Sequence, residues 1–134
     1  MFGRGDGDGL DLLEIPSAVY CEPQAASFGL TAERAQESGI ACRESVVFMR
    51  ATGKAVATGD TEGFVKLVHD PQGKELLGAH IAGSEATELI HELLLAKKAR
   101  VPVKEIAGMI HAHPTIAEGI MEAARVAGGH ALQV

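Results

Sequence analysis

The strongest constraint on the fold is a four-residue turn between two stretches with strand-like sequences. Asp70-Pro71-Gln72-Gly73 matches a type I β-turn, because Asp favours the first position, Pro presets φ at the second and Gly suits the fourth. After the turn, apolar side chains stand at every other position from Leu77 to Ile81, as on one face of a strand. The sequence therefore predicts an antiparallel hairpin between residues 63–69 and residues 75–81.

The chain before this hairpin contains two more predicted strands and one predicted helix. Residues 15–20 and residues 41–49 have the composition of strands. Between them, Thr31 is a good N-cap and Gly39 a good C-terminal stop for a short helix. Residues 51–60 are small and interrupted by glycine, so a loop is predicted there.

Three helices are predicted after the hairpin. The first spans residues 84–99 with Ser84 as its cap, and its acidic residues come early and its basic residues late, as the helix dipole favours. Leu94 and Leu95 widen its apolar stripe beyond one face, which suggests a second buried face against another subunit. The other two helices are predicted at residues 103–109 and 115–126. Strands first and helices last, with hairpin connections, predict an α+β fold in which helices pack on an antiparallel β-sheet.

Charge and composition argue against several classes of function. The formal net charge of −6 disfavours phosphate-backbone binding, and 4% aromatic residues without tryptophan disfavour base stacking. No apolar run approaches the roughly 18 residues of a membrane span, and the N-terminus lacks signal-peptide architecture. We therefore predict a cytoplasmic protein with neither nucleic acid nor membrane as a partner. Cys21 and Cys42 are predicted to be reduced thiols, with a disulfide left open.

One motif near the C-terminus contains the residues needed for acid–base chemistry. In His113-Pro114-Thr115-Ile116-Ala117-Glu118, an imidazole precedes a carboxylate by five positions. Histidine titrates near neutral pH, and a carboxylate within reach of the ring can select its tautomer. Pro114 restricts the backbone next to the imidazole. His113 and Glu118 are therefore candidate catalytic residues.

The same motif also has a purely structural interpretation. Thr115 and Glu118 have the spacing of a capping box, in which each side chain bonds the backbone N–H of the other residue. In the functional interpretation, Glu118 reaches past the cap to the ring of His113. The sequence alone leaves both interpretations open. No metal site is predicted, because the six histidines show no HExxH or comparable ligand spacing.

The C-terminal motif, preceded by Ile110-His111-Ala112, resembles the signature of the pyridine nucleotide–disulfide oxidoreductase family. The resemblance extends over about residues 15–126, and its pieces occur in the family's order. These pieces include Tyr20, Pro23, Ala26 and Gly29, then residues 59–66, residues 77–81 with Gly83, and residues 88–90. Each piece is short, but together they are specific. The similar region is the C-terminal dimerisation (interface) domain of that family.

The resemblance implies a role for this chain in a larger flavoenzyme. It implies an FAD/NAD-linked reductase dimerisation-domain fold over residues 15–134, after a Gly/Asp-rich tail at residues 1–14 that we expect to be disordered. In the family, the residue matching His113 is an acid–base facing the flavin and redox disulfide of the other subunit, and the residue matching Glu118 orients it. The His113–Pro114 bond is expected to be cis, with both residues near the FAD of the partner.

The resemblance also implies the cofactors and partners. FAD and NAD would belong to other domains of the full-length enzyme, so no cofactor is expected in this chain itself. The expected partners are a second copy, forming a homodimer, and the FAD- and NAD-binding domains of the same enzyme. The chain alone is not expected to be active.

Two other functions are alternatives. A stand-alone hydrolase would need a nucleophile beside His113, but Ser17 and Cys21 are remote in sequence and GxSxG does not occur. A non-catalytic interaction module would reuse the fold to recruit a different protein.

Overall fold

A five-stranded antiparallel sheet organises the chain. The computed structural model describes residues 11–129, and its strands follow the spatial order β1-β2-β5-β4-β3. The strands are β1 Ser17–Val19, β2 Ala25–Gly29, β3 Arg43–Phe48, β4 Phe64–His69 and β5 Leu76–Ala82. Three of the four neighbouring pairs join strands that are consecutive along the chain, and β2 pairs with β5. The predicted α+β class with an antiparallel sheet is confirmed.

The predicted hairpin is present as β4 and β5, with a bulge between Val68 and His69. The backbone N–H of Gly73 donates to the Asp70 carbonyl at 3.0 Å, which closes the turn. The Asp70 carboxylate accepts three further backbone bonds, from the N–H groups of Gln72, Lys74 and Glu75. Burial raises the pKa of the Asp70 carboxyl, but these donors outweigh burial and hold that pKa below the ordinary 3.8.

Asp70→Asn is therefore expected to destabilise the protein in a pH-dependent way. At neutral pH the free energy of unfolding should fall by about 1–2 kcal/mol, because a neutral amide is a weaker acceptor. Since folding lowers the pKa of Asp70, its contribution is present above the unfolded value and is lost as pH falls through the folded value. Urea unfolding should show a difference between wild type and variant that shrinks in acid. A difference that is constant with pH would contradict this account.

Helices pack against the sheet, and the core lies between the two layers. They are α1 Ala32–Glu37, α2 Gly53–Thr58, α3 Ala86–Lys98, α4 Val103–Gly108 and α5 Glu118–Ala127. Helix α3 packs on β5 and β2, and α5 packs on β3 and β4. Between the layers, Leu67, Ile81, Ile90, Leu93 and Ile120 are at most 2% exposed. This packing places the start of α5 beside α2 at the β3 edge of the sheet.

The predicted loop at residues 51–60 is wrong, because Gly53–Thr58 forms helix α2. Ala55 is fully buried, so tertiary packing stabilises a short helix of mostly small residues. The glycine at position 59 has φ +83° and ends the helix in the left-handed conformation. Strand β2 was not predicted, because its Ala-Ala-Ser composition has weak strand propensity. Its pairing with β1 and β5 determines that it is a strand.

Helix starts were predicted less reliably than helix existence. Thr31 is the N-cap of α1 as predicted, and its hydroxyl accepts from the Arg34 N–H at 3.2 Å. Ser84 is not the cap of α3, since the chain enters that helix through Glu85 at φ +60°. One of its first N–H groups instead has a distant partner, since Gln24 Oε1 accepts from the Thr87 N–H at 3.2 Å.

The N-terminal segment joins the domain through a short 3-10 turn. Residues 1–10 of the predicted tail lie outside the described residues. Leu12–Glu14 forms the turn, and Glu14 is paired with Lys98 of α3 at 2.9 Å. Between residues 11 and 129, no helix has the length and hydrophobicity needed to cross a bilayer.

Candidate acid–base site

The candidate histidine lies on an exposed loop between α4 and α5. Ala112, His113 and Pro114 are all exposed, and the His113–Pro114 peptide bond is cis, as the resemblance implies. The loop also contacts α3, where His111 Nε2 lies 3.1 Å from Glu92 Oε1. The imidazole of His113 is therefore presented at the surface of the protomer rather than in its core.

The Glu118 carboxylate makes a contact from each of the two interpretations that the sequence left open. Glu118 Oε1 lies 2.9 Å from His113 Nδ1, and Glu118 Oε2 accepts from the Thr115 N–H at 2.9 Å. The other half of the capping box is not formed, because the Thr115 hydroxyl donates to the Ala112 carbonyl at 2.7 Å. Helix α5 begins at Glu118 and not at the predicted Thr115. Glu118 thus bonds the loop backbone and the imidazole together.

This arrangement selects one tautomer of His113. A carboxylate only accepts hydrogen bonds, so Nδ1 of His113 carries the hydrogen and Nε2 is the free base of the neutral ring. The side chain of His113 is 75% exposed, whereas that of Glu118 is 18% exposed. Nε2 of His113 can therefore accept a proton from a group outside this protomer, while the half-buried Glu118 carboxylate bonds Nδ1 of the same ring.

Hydrogen bonding keeps Glu118 in its charged form. The backbone N–H of Thr115 has the largest effect and lowers the pKa of the Glu118 carboxyl. Burial opposes this effect, but the hydrogen bond from His113 lowers the pKa further, so that it lies below the ordinary 4.5. An ionised Glu118 is what stabilisation of a protonated His113 requires.

A small cavity of about 280 Å³ opens beside this pair. Its lining includes Thr52 and Gly53 at the start of α2, and Glu122 and Arg125 on α5. Glu122 Oε1 accepts from Arg125 Nη1 at 2.6 Å, while Glu122 Oε2 is buried without a partner among residues 11–129. Sequence reasoning missed these four residues. The i,i+4 spacing of Glu118 and Glu122 on one helix was the one available signal.

The other candidate chemistry is not assembled here. Neither Ser17 nor Cys21 lines the cavity beside His113, so the hydrolase alternative gains no nucleophile. The Cys21 thiol instead donates to the Pro23 carbonyl at 2.9 Å. Cys21 and Cys42 are both free thiols. Within the described part of the chain, no three His, Cys, Asp or Glu side chains gather as metal ligands.

The fold is that of a class of proteins, the interface domains of disulfide reductases. Comparison with known families agrees, because the profile of the pyridine nucleotide-disulphide oxidoreductase dimerisation domain matches residues 15–124. The chain belongs to that family, and among its relatives it is close to dihydrolipoyl dehydrogenases.

Three relatives illustrate this similarity. The dihydrolipoyl dehydrogenase of Corynebacterium glutamicum is 43% identical over 122 residues, which cover 90% of this chain and 26% of that protein. LpdA from Mycobacterium tuberculosis has a TM-score of 0.82 at 24% identity, over 89% of this chain and 26% of that one. RclA from Escherichia coli, an HOCl-induced flavoprotein disulfide reductase, has a TM-score of 0.80 at 25% identity, over 84% and 26%. The chain thus spans about a quarter of the length of these relatives.

Proposed function

We propose that this chain is the homodimerisation domain of a dihydrolipoyl dehydrogenase, with residues 15–134 as the domain and residues 1–14 as its leading tail. We further propose that His113 is the acid–base of the second protomer's active site and that Glu118 orients it. The observation that carries the proposal is the Glu118 bridge, which places the hydrogen of His113 on Nδ1 and leaves Nε2 free on an exposed ring. Substitution of His113 in the complete oxidoreductase tests it.

The proposed chemistry of this domain is proton transfer. Nε2 of His113 would accept a thiol proton as one sulfur of the substrate dithiol attacks the redox disulfide held by the other protomer. A mixed disulfide forms, the redox S–S bond breaks and one cysteine leaves as a thiolate. The imidazolium that forms is stabilised by the Glu118 carboxylate at 2.9 Å. FAD and NAD, bound by other domains, would supply the electron and hydride transfer. The exposed His113 and Pro114 fit contact with a flavin that another protomer holds, because both face away from their own core.

Helix α3 supports the proposed homodimer. Leu93 is fully buried against the sheet, whereas Leu95, about half a turn further round, is 68% exposed. Ile110, on the loop before the candidate site, is 93% exposed. Large apolar side chains on a surface next to the acid–base loop are typical of a protein contact. A second copy is the partner that the dimerisation family favours.

Leu95→Asp is expected to weaken the dimer at least about tenfold, because it puts a charge into a desolvated contact. The monomer should keep its fold, since Leu95 contributes little to the core. Analytical ultracentrifugation of the chain over a concentration series measures both species. Ile40→Asp, at a 40% exposed apolar position after α1 that does not line the cavity beside His113, is the control and should leave the dimer intact. An unchanged dimer in Leu95→Asp would exclude this face of α3 from the interface.

A further inference from the structure

The loop that carries His113 has a second histidine whose surroundings differ. The side chain of His111 is only 4% exposed, against 75% for His113 two positions later. Its Nε2 lies 3.1 Å from Glu92 Oε1 on α3, and its Nδ1 lies 3.3 Å from the Met109 carbonyl oxygen. Each ring nitrogen therefore has an oxygen partner.

The two partners determine the form of the ring. A backbone carbonyl only accepts a hydrogen bond, so Nδ1 of His111 must carry a hydrogen. The Glu92 side chain is 34% exposed, and a carboxylate only accepts hydrogen bonds, so Nε2 must also donate. A neutral imidazole has one N–H and satisfies one of these contacts, whereas an imidazolium satisfies both. A buried cation needs such a paired anion, which Glu92 supplies.

We propose that His111 is a positioning residue: as an imidazolium bonded to Glu92, it holds the His113 loop against α3. The loop is then anchored at both ends, by His111 on α3 and by the Thr115–Glu118 bond at the start of α5. The positioning role rests on the proposed function of His113. The charge of His111 and its two contacts are independent of that function. The anchor also links the acid–base loop to the helix proposed for dimerisation.

The charged groups around His111 fit this assignment. Glu92 faces the ring from α3, and Glu118 on α5 is close enough that positive charge at His111 adds to the lowering of its pKa. His113 is the other titratable ring on the loop, and its hydrogen bond with Glu118 has already been described. Each of the two imidazoles on this loop thus has one carboxylate beside it.

Long-range 1H–15N spectra of the histidine-labelled chain test the charge directly. At neutral pH both ring nitrogens of His111 should have the shifts of N–H groups. Glu92→Gln should return His111 to a neutral tautomer, because its amide oxygen still accepts but carries no charge. Glu88→Gln, on the exposed side of the same helix, is the control and should change nothing. An unprotonated nitrogen on His111 in the wild-type chain would overturn the proposal.

His111→Gln tests the positioning role in the same spectra. Without the anchor, the ratio of the Nδ1–H to the Nε2–H tautomer of neutral His113 should fall roughly tenfold, as expected for loss of one charged hydrogen bond. The urea midpoint should fall as well, because the same hydrogen bond stabilises the fold. The exposed His91→Gln is the control and should change neither quantity. A lowered urea midpoint with an unchanged tautomer ratio of His113 would show that His111 is merely structural. If His111→Gln fails to fold, Glu92→Gln gives the same measurement of the tautomer ratio. If these spectra behave as expected while His113→Gln keeps full turnover, the anchor stands and the acid–base function falls.

Discussion

His113→Gln in the complete oxidoreductase is expected to lower turnover with the dithiol by about 10²–10⁴-fold. Glutamine cannot accept a proton, so the thiol would have to lose its proton to water. The dimer should persist, because the ring of His113 is 75% exposed and bonds to Glu118 rather than to the core. Steady-state kinetics with dihydrolipoamide and NAD, together with the dimer mass, measure both effects.

Two further variants make this result specific. Glu118→Gln should lose less activity than His113→Gln, because the imidazole base remains. What is lost is the carboxylate that orients the ring and stabilises its protonated form. His91→Gln, at an exposed histidine of α3, should keep wild-type turnover. Wild-type turnover in His113→Gln would reject the catalytic role. With a preserved dimer, that outcome would favour the non-catalytic interaction module.

Leu93→Asp is expected to unfold the chain. Leu93 has no exposed surface and packs in the layer between α3 and the sheet. Removing it leaves a cavity, which costs about 2–5 kcal/mol for leucine, and burying a carboxylate adds to that cost. The sum is comparable to the whole stability of a typical domain, about 5–15 kcal/mol. Circular dichroism should show lost structure.

Leu95→Asp on the same helix serves as the control for Leu93→Asp. It introduces the same charge at a side chain that is 68% exposed, so the fold should be retained. A Leu93→Asp variant with the wild-type urea midpoint would show that the buried face of α3 has been assigned wrongly. If both substitutions destabilised the chain equally, the cause would be the added charge on α3. The burial of Leu93 would then not explain the effect.

Elements whose signals are local could be predicted from the sequence. The Asp70-Pro71-Gln72-Gly73 turn and the Thr31 cap depend on side chains that bond their own neighbours, so both are readable in a single sequence. Helix α2 and strand β2 depend on burial and pairing, and their small residues carry weak intrinsic preferences. The start of α3 could not be predicted because no side chain next to it caps the helix, and the Thr87 N–H bonds Gln24, which lies 63 positions earlier in the chain.

The same distinction holds at the site. The spacing of His113 and Glu118 allows a contact, and Glu118 Oε1 lies 2.9 Å from His113 Nδ1. Spacing could not decide between a helix cap and a contact with His113, since Glu118 uses one oxygen for each. The cavity beside His113 is lined in part by α2, and His111 contacts Glu92 on α3. Both features join residues that are far apart in the chain, so the local sequence gives no signal for them.

If His113 of one protomer completes the active site of the other, as we propose, mixed dimers should recover activity that both of their parents lack. One parent carries His113→Gln and the other lacks the cysteines of the redox disulfide, so each homodimer should be inactive. A mixed dimer would contain one site with intact cysteines from the first chain and His113 from the second, so mixing should restore turnover. If the mixture stays as inactive as either parent, the claim that His113 acts across the dimer is contradicted.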